Sequence, residues 1–141
     1  MNVVSILRST FAWQSDLHWA TESEDEQLVR TILMSGIDIY AEDKKGKSAL
    51  QRAIEIGNKG ILIILLENMD LEHRGCNGST PLHWAVWKRN MDILDILIDL
   101  KANIDAQDDE GWTALHFAVL KGEDRIIMRL LVRWIFIKIY G

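Results

Sequence analysis

The sequence predicts an all-α solenoid of four stacked helix–turn–helix units, and three observations carry that prediction. A leucine followed three residues later by an alanine recurs every 32 or 33 residues, beginning at Leu17, Leu50, Leu82 and Leu115. A glycine stands four residues before that leucine in three of the four units. A second, more strongly apolar helical pattern follows each of these phrases. Recurrence at this period over most of 141 residues indicates like units that bury their faces against one another.

The first helix of each unit is predicted from the residues that begin and end it. Thr80 is a good N-cap, and Ser48 with Gln51 three residues later forms a capping-box pattern. Gly57 and Gly122 are predicted to end this helix in the second and fourth units, because glycine readily adopts the left-handed conformation of a helix C-cap. We therefore expect a first helix of about two turns.

The second helix of each unit is predicted from apolar periodicity in "LVRTILM", "ILIILL", "ILDILI" and "IIMRLL". Turn-like stretches lead from these segments to the next glycine. The predicted boundaries of repeats 1 to 4 are about 13–42, 43–74, 75–107 and 108–134, followed by an apolar tail at 135–141. All four repeats are expected to form a single domain over residues 1–141.

Composition argues against several classes of protein. The net charge of −5 argues against a general nucleic-acid binder, because phosphate contacts need a cationic surface. The longest apolar run, 61–66, is too short to cross a membrane, and the N-terminal segment has no basic leader of the secretory kind. A lone cysteine, Cys76, cannot form an internal disulfide. We therefore expect an intracellular protein, cytoplasmic or nuclear, without a nucleic-acid or membrane partner.

Three histidines, His18, His83 and His116, recur at equivalent positions. As a functional site they would form a row of metal ligands or a set of general bases. As structural residues, each would stabilise the start of its helix by hydrogen bonds. Their regular spacing without convergent carboxylates favours the structural role. The sequence also lacks a glycine-rich phosphate loop, paired-cysteine metal spacing and a nucleophile elbow. It thus predicts a protein that is not an enzyme and needs no cofactor or metal.

Aromatic residues form a further column directly after these histidines, at Trp19, Trp84 and Phe117. Large aromatics at one repeat position are more often part of a core than of a ligand site. We therefore expect this column to be buried.

The repeated phrase resembles that of the ankyrin-repeat family. It reads "TPLHWA" from Thr80, "TALHFA" from Thr113, and in less regular form "SALQRA" and "SDLHWA", and the resemblance covers about 15–133. It implies helix–turn–helix units with β-hairpin-like fingers and a concave binding face. Members of this family mostly bind other proteins and have no catalytic role of their own. The last unit departs from the family pattern after Arg133.

The resemblance places recognition on the fingers and on the two residues that follow each alanine by two and three. Trp87 and Trp112 stand where the fold does not need an aromatic, and Leu120 is the repeat equivalent of Trp87. Exposed tryptophan with leucine is typical of an interface hot spot, although these side chains could instead shield the stack. The charged candidates, which could orient a partner, are Lys88, Lys121, Lys44, Lys45, Lys47 and Glu55.

The sequence therefore predicts a non-catalytic protein–protein interaction module that binds through its concave face and finger edge, as an inhibitor or an adaptor. The alternative is a structural segment of a longer repeat scaffold with little binding of its own. The apolar stretch Trp134–Gly141 leaves three explanations open. The chain could be cut from a longer array, the tail could fold back as a cap, or it could contact another subunit and so mediate self-association.

Overall fold

The computed structural model describes residues 16–141, which lie in two compact units. The first unit ends at residue 70 and holds the helices of repeats 1 and 2, and the second spans 71–141 and holds the helices of repeats 3 and 4. The first residues of repeat 1, at 13–15, lie outside the described part. The expectation of a single domain with the four boundaries given above stays a prediction.

Each repeat is a pair of helices joined by a short turn. The eight α-helices of residues 16–141 are α1 (Asp16–Glu22), α2 (Glu26–Met34), α3 (Ala49–Ile56), α4 (Lys59–Glu67), α5 (Pro81–Trp87), α6 (Met91–Asp99), α7 (Ala114–Lys121) and α8 (Asp124–Tyr140). In the first unit α1 packs against α2 and α3, while α4 packs against α2 and α3. In the second unit α5 packs against α6 and α7, and α7 against α8. The described residues contain no β-strand beyond one isolated bridge, so the predicted all-α repeat fold is confirmed.

The first helices begin and end as the sequence predicts. Ser48 and Gln51 form the expected capping box at the start of α3, and Thr80 and Thr113 begin α5 and α7 with capping boxes of their own. Gly57 and Gly122 end α3 and α7 in the left-handed conformation, with φ of 81° and 66°. Both predictions of helix ends are confirmed.

A small side chain lies at the same place in every first helix, and it is fully buried each time. These residues are Ala20, Ala53, Ala85 and Ala118. The aromatic column is less buried than the sequence predicts. Its side chains are only half-buried, at Trp19, Trp84 and Phe117. Successive residues of a helix are turned by about 100°, so the position after the inward-facing leucine and histidine points toward the edge of the unit.

The second helices have capping residues that the sequence analysis did not single out. Asp25, Asn58 and Asn90 each accept a hydrogen bond from the backbone N–H three residues later, at 3.1, 3.0 and 3.1 Å. The equivalent residue of repeat 4 is Glu123, whose side chain makes no such bond. Three of these four helices thus start on a side-chain cap.

Hairpin-like fingers precede the first helices of repeats 2, 3 and 4. Each is closed by a backbone hydrogen bond of about 3 Å between residues four apart, from Asp43 to Lys47, Gly75 to Ser79 and Asp108 to Trp112. The fingers that the family resemblance implied are therefore present.

The last helix does not stop at the predicted end of repeat 4. Helix α8 is 17 residues long and continues through Arg133 and Trp134 to Tyr140 without a break. The Trp134 indole donates to the Asp105 carboxylate at 3.1 Å, and the Lys138 ammonium lies 3.6 Å from the same carboxylate. The segment at 135–141 is thus a helical extension of repeat 4 and does not fold back as a separate cap. No helix within residues 16–141 combines the length and apolar character that a membrane crossing requires.

Candidate partner-binding cleft

The second unit contains a cleft of about 390 Å³ between its fingers and its first helices. Residues of both fingers, of α5 and of α7 line it: Asn77, Ser79, His83, Trp84, Trp87, Asp108, Glu110 and Phe117. Three aromatic residues and five polar or ionisable residues thus line the cleft, so it offers both apolar contact and hydrogen-bonding groups.

Trp87 stands at the end of α5 and at the edge of this cleft, with 46% of its surface exposed. Its ring meets that of Phe117 edge-on, with 5.9 Å between the ring centroids. The Lys121 ammonium lies 3.7 Å from the centroid of the Trp87 ring, within the range of a cation–π contact. Two of the predicted binding residues, Trp87 and Lys121, are therefore in direct contact.

The other candidates of the second unit lie in different settings. Trp112 is half-buried and its ring packs against Phe117 at 5.3 Å, so the alternative shielding role describes Trp112 well. Leu120 on α7 is 63% exposed, and Lys88 is exposed just after the end of α5.

Trp84 is a cleft residue that the sequence analysis placed in the core. Its indole Nε1 is buried and makes no hydrogen bond within the described residues. A buried donor without a partner costs about 1–3 kcal/mol, so this indole is a local energetic cost in the wall of the cleft. Nothing in the sequence distinguishes Trp84 from Trp19, which occupies the same repeat position.

His83 holds two repeats of the second unit together. Its Nδ1 accepts a hydrogen bond from the Thr80 N–H at 3.1 Å, which leaves Nε2–H to donate to the Trp112 carbonyl at 2.8 Å. The first bond confirms the predicted role of fastening the helix start. The second, which ties α5 to the finger of repeat 4, was not predicted.

The two fingers of the second unit are joined to each other. Asp108 accepts from the backbone N–H of Glu110 and of Trp112 at 2.9 and 2.8 Å, which shapes the finger of repeat 4. The next N–H, of Asp109, donates to the Asn77 carbonyl at 3.0 Å. Gly78 lies under this junction with φ of +70°. A Cβ at this position would lie only 2.3 Å from Asp109 Oδ1, which is too close for any side chain. The wall of the cleft is therefore well fixed, and Glu110 is exposed on it.

The remaining candidates belong to the first unit. The ammonium group of Lys47 pairs with the Glu55 carboxylate, so each of these two residues satisfies the other. Lys44 and Lys45 are exposed on the finger of repeat 2. The candidate residues are thus divided between the two compact units.

Arg52 and Asp43 lie beside that ion pair. The Arg52 guanidinium is 3.5 Å from Glu55, 3.3 Å from Asp43 and 3.2 Å from Glu22. Burial tends to raise the pKa of Asp43, but hydrogen bonds from the backbone N–H of Lys47 and Lys45 and the nearby Arg52 charge together hold that pKa below its usual value. The group is a polar network that stabilises the finger of repeat 2.

Metal ligands are not gathered anywhere in the described part of the chain. No group of three or more histidine, cysteine, aspartate or glutamate side chains within residues 16–141 could hold a metal ion.

Comparison with known protein families finds repeats along most of the chain. The model described as "Ankyrin repeats (3 copies)" matches residues 17–108, and the one described as "Ankyrin repeat" matches residues 110–134. The two matches together cover the segment in which the sequence shows its 33-residue period.

Similar proteins differ widely in length and kind. Palmitoyltransferase AKR1 of Lachancea kluyveri is 28% identical over 120 residues, which are 82% of this chain and 16% of that protein. An ankyrin repeat protein of Rickettsia bellii is 31% identical over 111 residues, 77% of this chain and 61% of that protein. Neurogenic locus notch homolog protein 2 of Homo sapiens is 33% identical over 104 residues, 72% of this chain and 4% of that protein. The chain therefore spans less than two thirds of each of these relatives.

Proposed function

Because the chain belongs to the ankyrin-repeat family, whose repeats are typical of protein–protein interaction modules, we propose that it binds a partner protein through the cleft of its second unit. The observation that carries this proposal is Trp87, a large aromatic at the edge of the cleft with nearly half of its surface exposed. Tryptophan is enriched among residues that dominate binding energy, because it covers a large area with few rotatable bonds.

The surroundings of Trp87 suit a partner segment that lies along the cleft. Phe117 and Lys121 hold the indole in place, so little side-chain entropy is lost when a partner covers it. The exposed Glu110 carboxylate at the cleft can accept from a donor or a cation of that segment. Leu120 and Lys88 extend this surface along α7 and beyond α5.

The consequence of binding depends on what the partner's covered surface does. Covering a functional surface inhibits the partner, and covering an inert one tethers it, so the module acts as an inhibitor or as an adaptor. An intracellular setting, cytoplasmic or nuclear, belongs to the same proposal. Lys44, Lys45, Lys47 and Glu55 form a separate, secondary candidate surface on the first unit.

The test is affinity capture from native cell extract with three versions of the full chain: wild type, Trp87→Ala and Trp134→Ala. Trp134 is the matched control, because it is an exposed tryptophan of the same unit, 40% exposed, that does not line the cleft. We expect proteins that wild type and Trp134→Ala both recover to be lost with Trp87→Ala. Recovery of the same proteins with all three versions would rule the cleft out.

A second candidate function is a structural segment of a longer repeat array. The observation that favours it is His116, which caps its own helix as His83 does but is exposed, whereas His83 is buried and bonded to the next repeat. In such an array the face around His116 would be covered by a further repeat. A single cooperative thermal transition of residues 1–141 on their own, well above the growth temperature of the source cells, would argue against this function.

A further inference from the structure

Helix α8 is exposed on every side from Trp134 to Tyr140, and four of its exposed apolar side chains align in a stripe along one side. Met128, Val132, Ile135 and Ile139 are 59, 59, 49 and 65% exposed. The residues that bury α8 against its own unit, Ile126 and Leu130, are 1 and 0% exposed. At 100° per residue the stripe lies 140–200° around the helix from Leu130, on the face directed away from the repeat.

The spacing within this stripe is that of a helix-pairing seam. The four residues are separated by four, three and four positions, which is the alternation of a and d positions in a heptad. With Met128 and Ile135 at d and Val132 and Ile139 at a, the seam runs straight along α8.

We propose that α8 pairs with α8 of a second copy of the chain, in antiparallel orientation about a two-fold axis between Arg133 and Trp134. The seam is symmetric about that point, because Met128 and Ile139 lie equally far from it, as do Val132 and Ile135. In an antiparallel pair Met128 therefore faces Ile139 of the second copy, and Val132 faces its Ile135. All four seam residues find apolar partners in a single register, and the interface is isologous as a two-fold dimer requires.

Charge selects the antiparallel orientation over the parallel one. Arg125 occupies the next a position before the seam and is exposed. Parallel pairing in register places it against Arg125 of the second copy, and two like charges at a facing position are unfavourable. Antiparallel pairing carries Arg125 beyond the last turn of the opposing helix, which ends at Tyr140.

Phe136, 52% exposed, flanks the seam. Its ring centroid lies 5.6 Å from the Arg133 guanidinium and 5.1 Å from that of the Tyr140 ring, so it adds apolar area beside the seam.

The size of the seam indicates a weak dimer. A standard specific interface buries roughly 800 Å² on each partner, and one helix face with a single flanking aromatic buries less than that. We therefore expect dissociation in the micromolar range, with monomer and dimer both populated at ordinary laboratory concentrations.

The test is light scattering coupled to gel filtration over a range of concentrations from low micromolar to several hundred micromolar. We expect the mass of wild type to rise toward twice the 16.2 kDa of the chain, and Val132→Glu/Ile135→Glu to stay at one chain mass throughout. Met34→Glu is the matched control, since Met34 is an apolar helix residue 88% exposed in the first unit, and it should behave as wild type. Unchanged thermal melting of all variants shows that they are folded.

Two results would overturn the proposal. One is a wild type that keeps a single chain mass at every concentration, and the other is a dimer that persists in Val132→Glu/Ile135→Glu. Trp87→Ala should dimerise normally, so failure of the dimer and failure of the binding cleft are separate results.

Orientation is read from disulfide trapping in a Cys76→Ser background. Met128→Cys/Ile139→Cys should form covalent dimers on oxidation, because each new thiol faces the other type across the seam. Met128→Cys alone should not, since its two copies then lie 11 residues apart along the helix, roughly 16 Å, too far for a disulfide. Efficient trapping of Met128→Cys alone would show parallel pairing and contradict the antiparallel arrangement.

Discussion

His83 shows how one side chain can serve two levels of structure. Its ring accepts a bond from the start of its own helix and donates another to the backbone of the following repeat. His18 makes the equivalent long-range contact in the first unit, from Nε2 to the Lys47 carbonyl at 2.6 Å. The phrase around each histidine thus specifies both a helix and the position of the next repeat.

The first prediction concerns the two hydrogen bonds of His83. His83→Ala should lower the free energy of unfolding by about 2 kcal/mol, because the buried Thr80 N–H loses its acceptor and the Trp112 carbonyl keeps only the Asp108 N–H. His116→Ala removes a cap bond at an exposed site and should cost less than about 1 kcal/mol. Chemical denaturation of the two variants measures both values. Equal losses would mean that the bond between repeats contributes nothing.

The candidate binding residues illustrate what single positions reveal in a repeat sequence. Trp87 could be found because it departs from what the repeat requires, and its exposure agrees with that reading. Trp112 departs in the same way but packs on Phe117, so a departure from the repeat does not by itself identify an exposed residue. Trp84 looks like its equivalents in sequence, and only its surroundings show an indole N–H without a partner.

At the scale of the helix, capping explains much of where the elements begin. The second helices of repeats 1 to 3 start at Asp25, Asn58 and Asn90, whose side chains satisfy a backbone N–H that no helical carbonyl can reach. Glu123 is too long to fold back onto the first turn, and its carboxylate lies 3.0 Å from the Arg89 guanidinium instead. Helix α8 therefore begins without a side-chain cap.

The second prediction uses that missing cap. Glu123→Asn should be more stable than Glu123→Ala by about 1 kcal/mol, because both lose the pair with Arg89 but only asparagine can cap α8. Thermal or chemical denaturation gives the comparison. Asn90→Ala serves as the converse control and should lose about the same amount. Two Glu123 variants of equal stability would show that the start of α8 does not limit the stability of repeat 4.

The third prediction concerns the finger of repeat 2. The pKa of Asp43 is lowered in the folded chain, so ionised Asp43 adds stability above its unfolded pKa, near 3.9, and this contribution is lost as the pH falls through the folded value. Asp43→Asn keeps an acceptor for the Lys45 and Lys47 N–H groups but has no charge. We expect it to be less stable than wild type at pH 7, with a difference that shrinks below about pH 4.

Unfolding followed as a function of pH in both proteins measures that difference. A constant difference from pH 7 to pH 3 would mean that the Asp43 charge is not responsible for it.

At the scale of the whole molecule, the fold could be predicted because the same residue pattern recurs in each repeat. The leucine and the alanine three residues later recur in all four repeats and the leading glycine in three of them, so the loss of one signal, such as the histidine of repeat 2, does little harm. The end of repeat 4 gave less information. The family pattern stops at Arg133, but α8 continues to Tyr140, and Trp134 and Lys138 of this extension contact Asp105.

The candidate site was harder to predict than the fold, for a physical reason. Packing imposes the same residue types on every repeat, whereas recognition needs only a few side chains with no fixed pattern. Lys47 and Glu55 looked like separate surface charges in the sequence, yet they neutralise each other in space. Such ion pairs can be recognised only once the three-dimensional positions of a finger and of the following helix are known.

The bonds of His18 and His83 to the next repeat also set a limit on insertions and deletions. Each spans 29 residues of chain, from His18 to Lys47 and from His83 to Trp112. A residue inserted after Leu100 would interrupt no helix, yet it would have to bulge outward for the Trp112 carbonyl to stay within reach of His83. The histidine bond therefore restricts the number of residues in a repeat. Insertions and deletions are tolerated best in segments that no such bond spans.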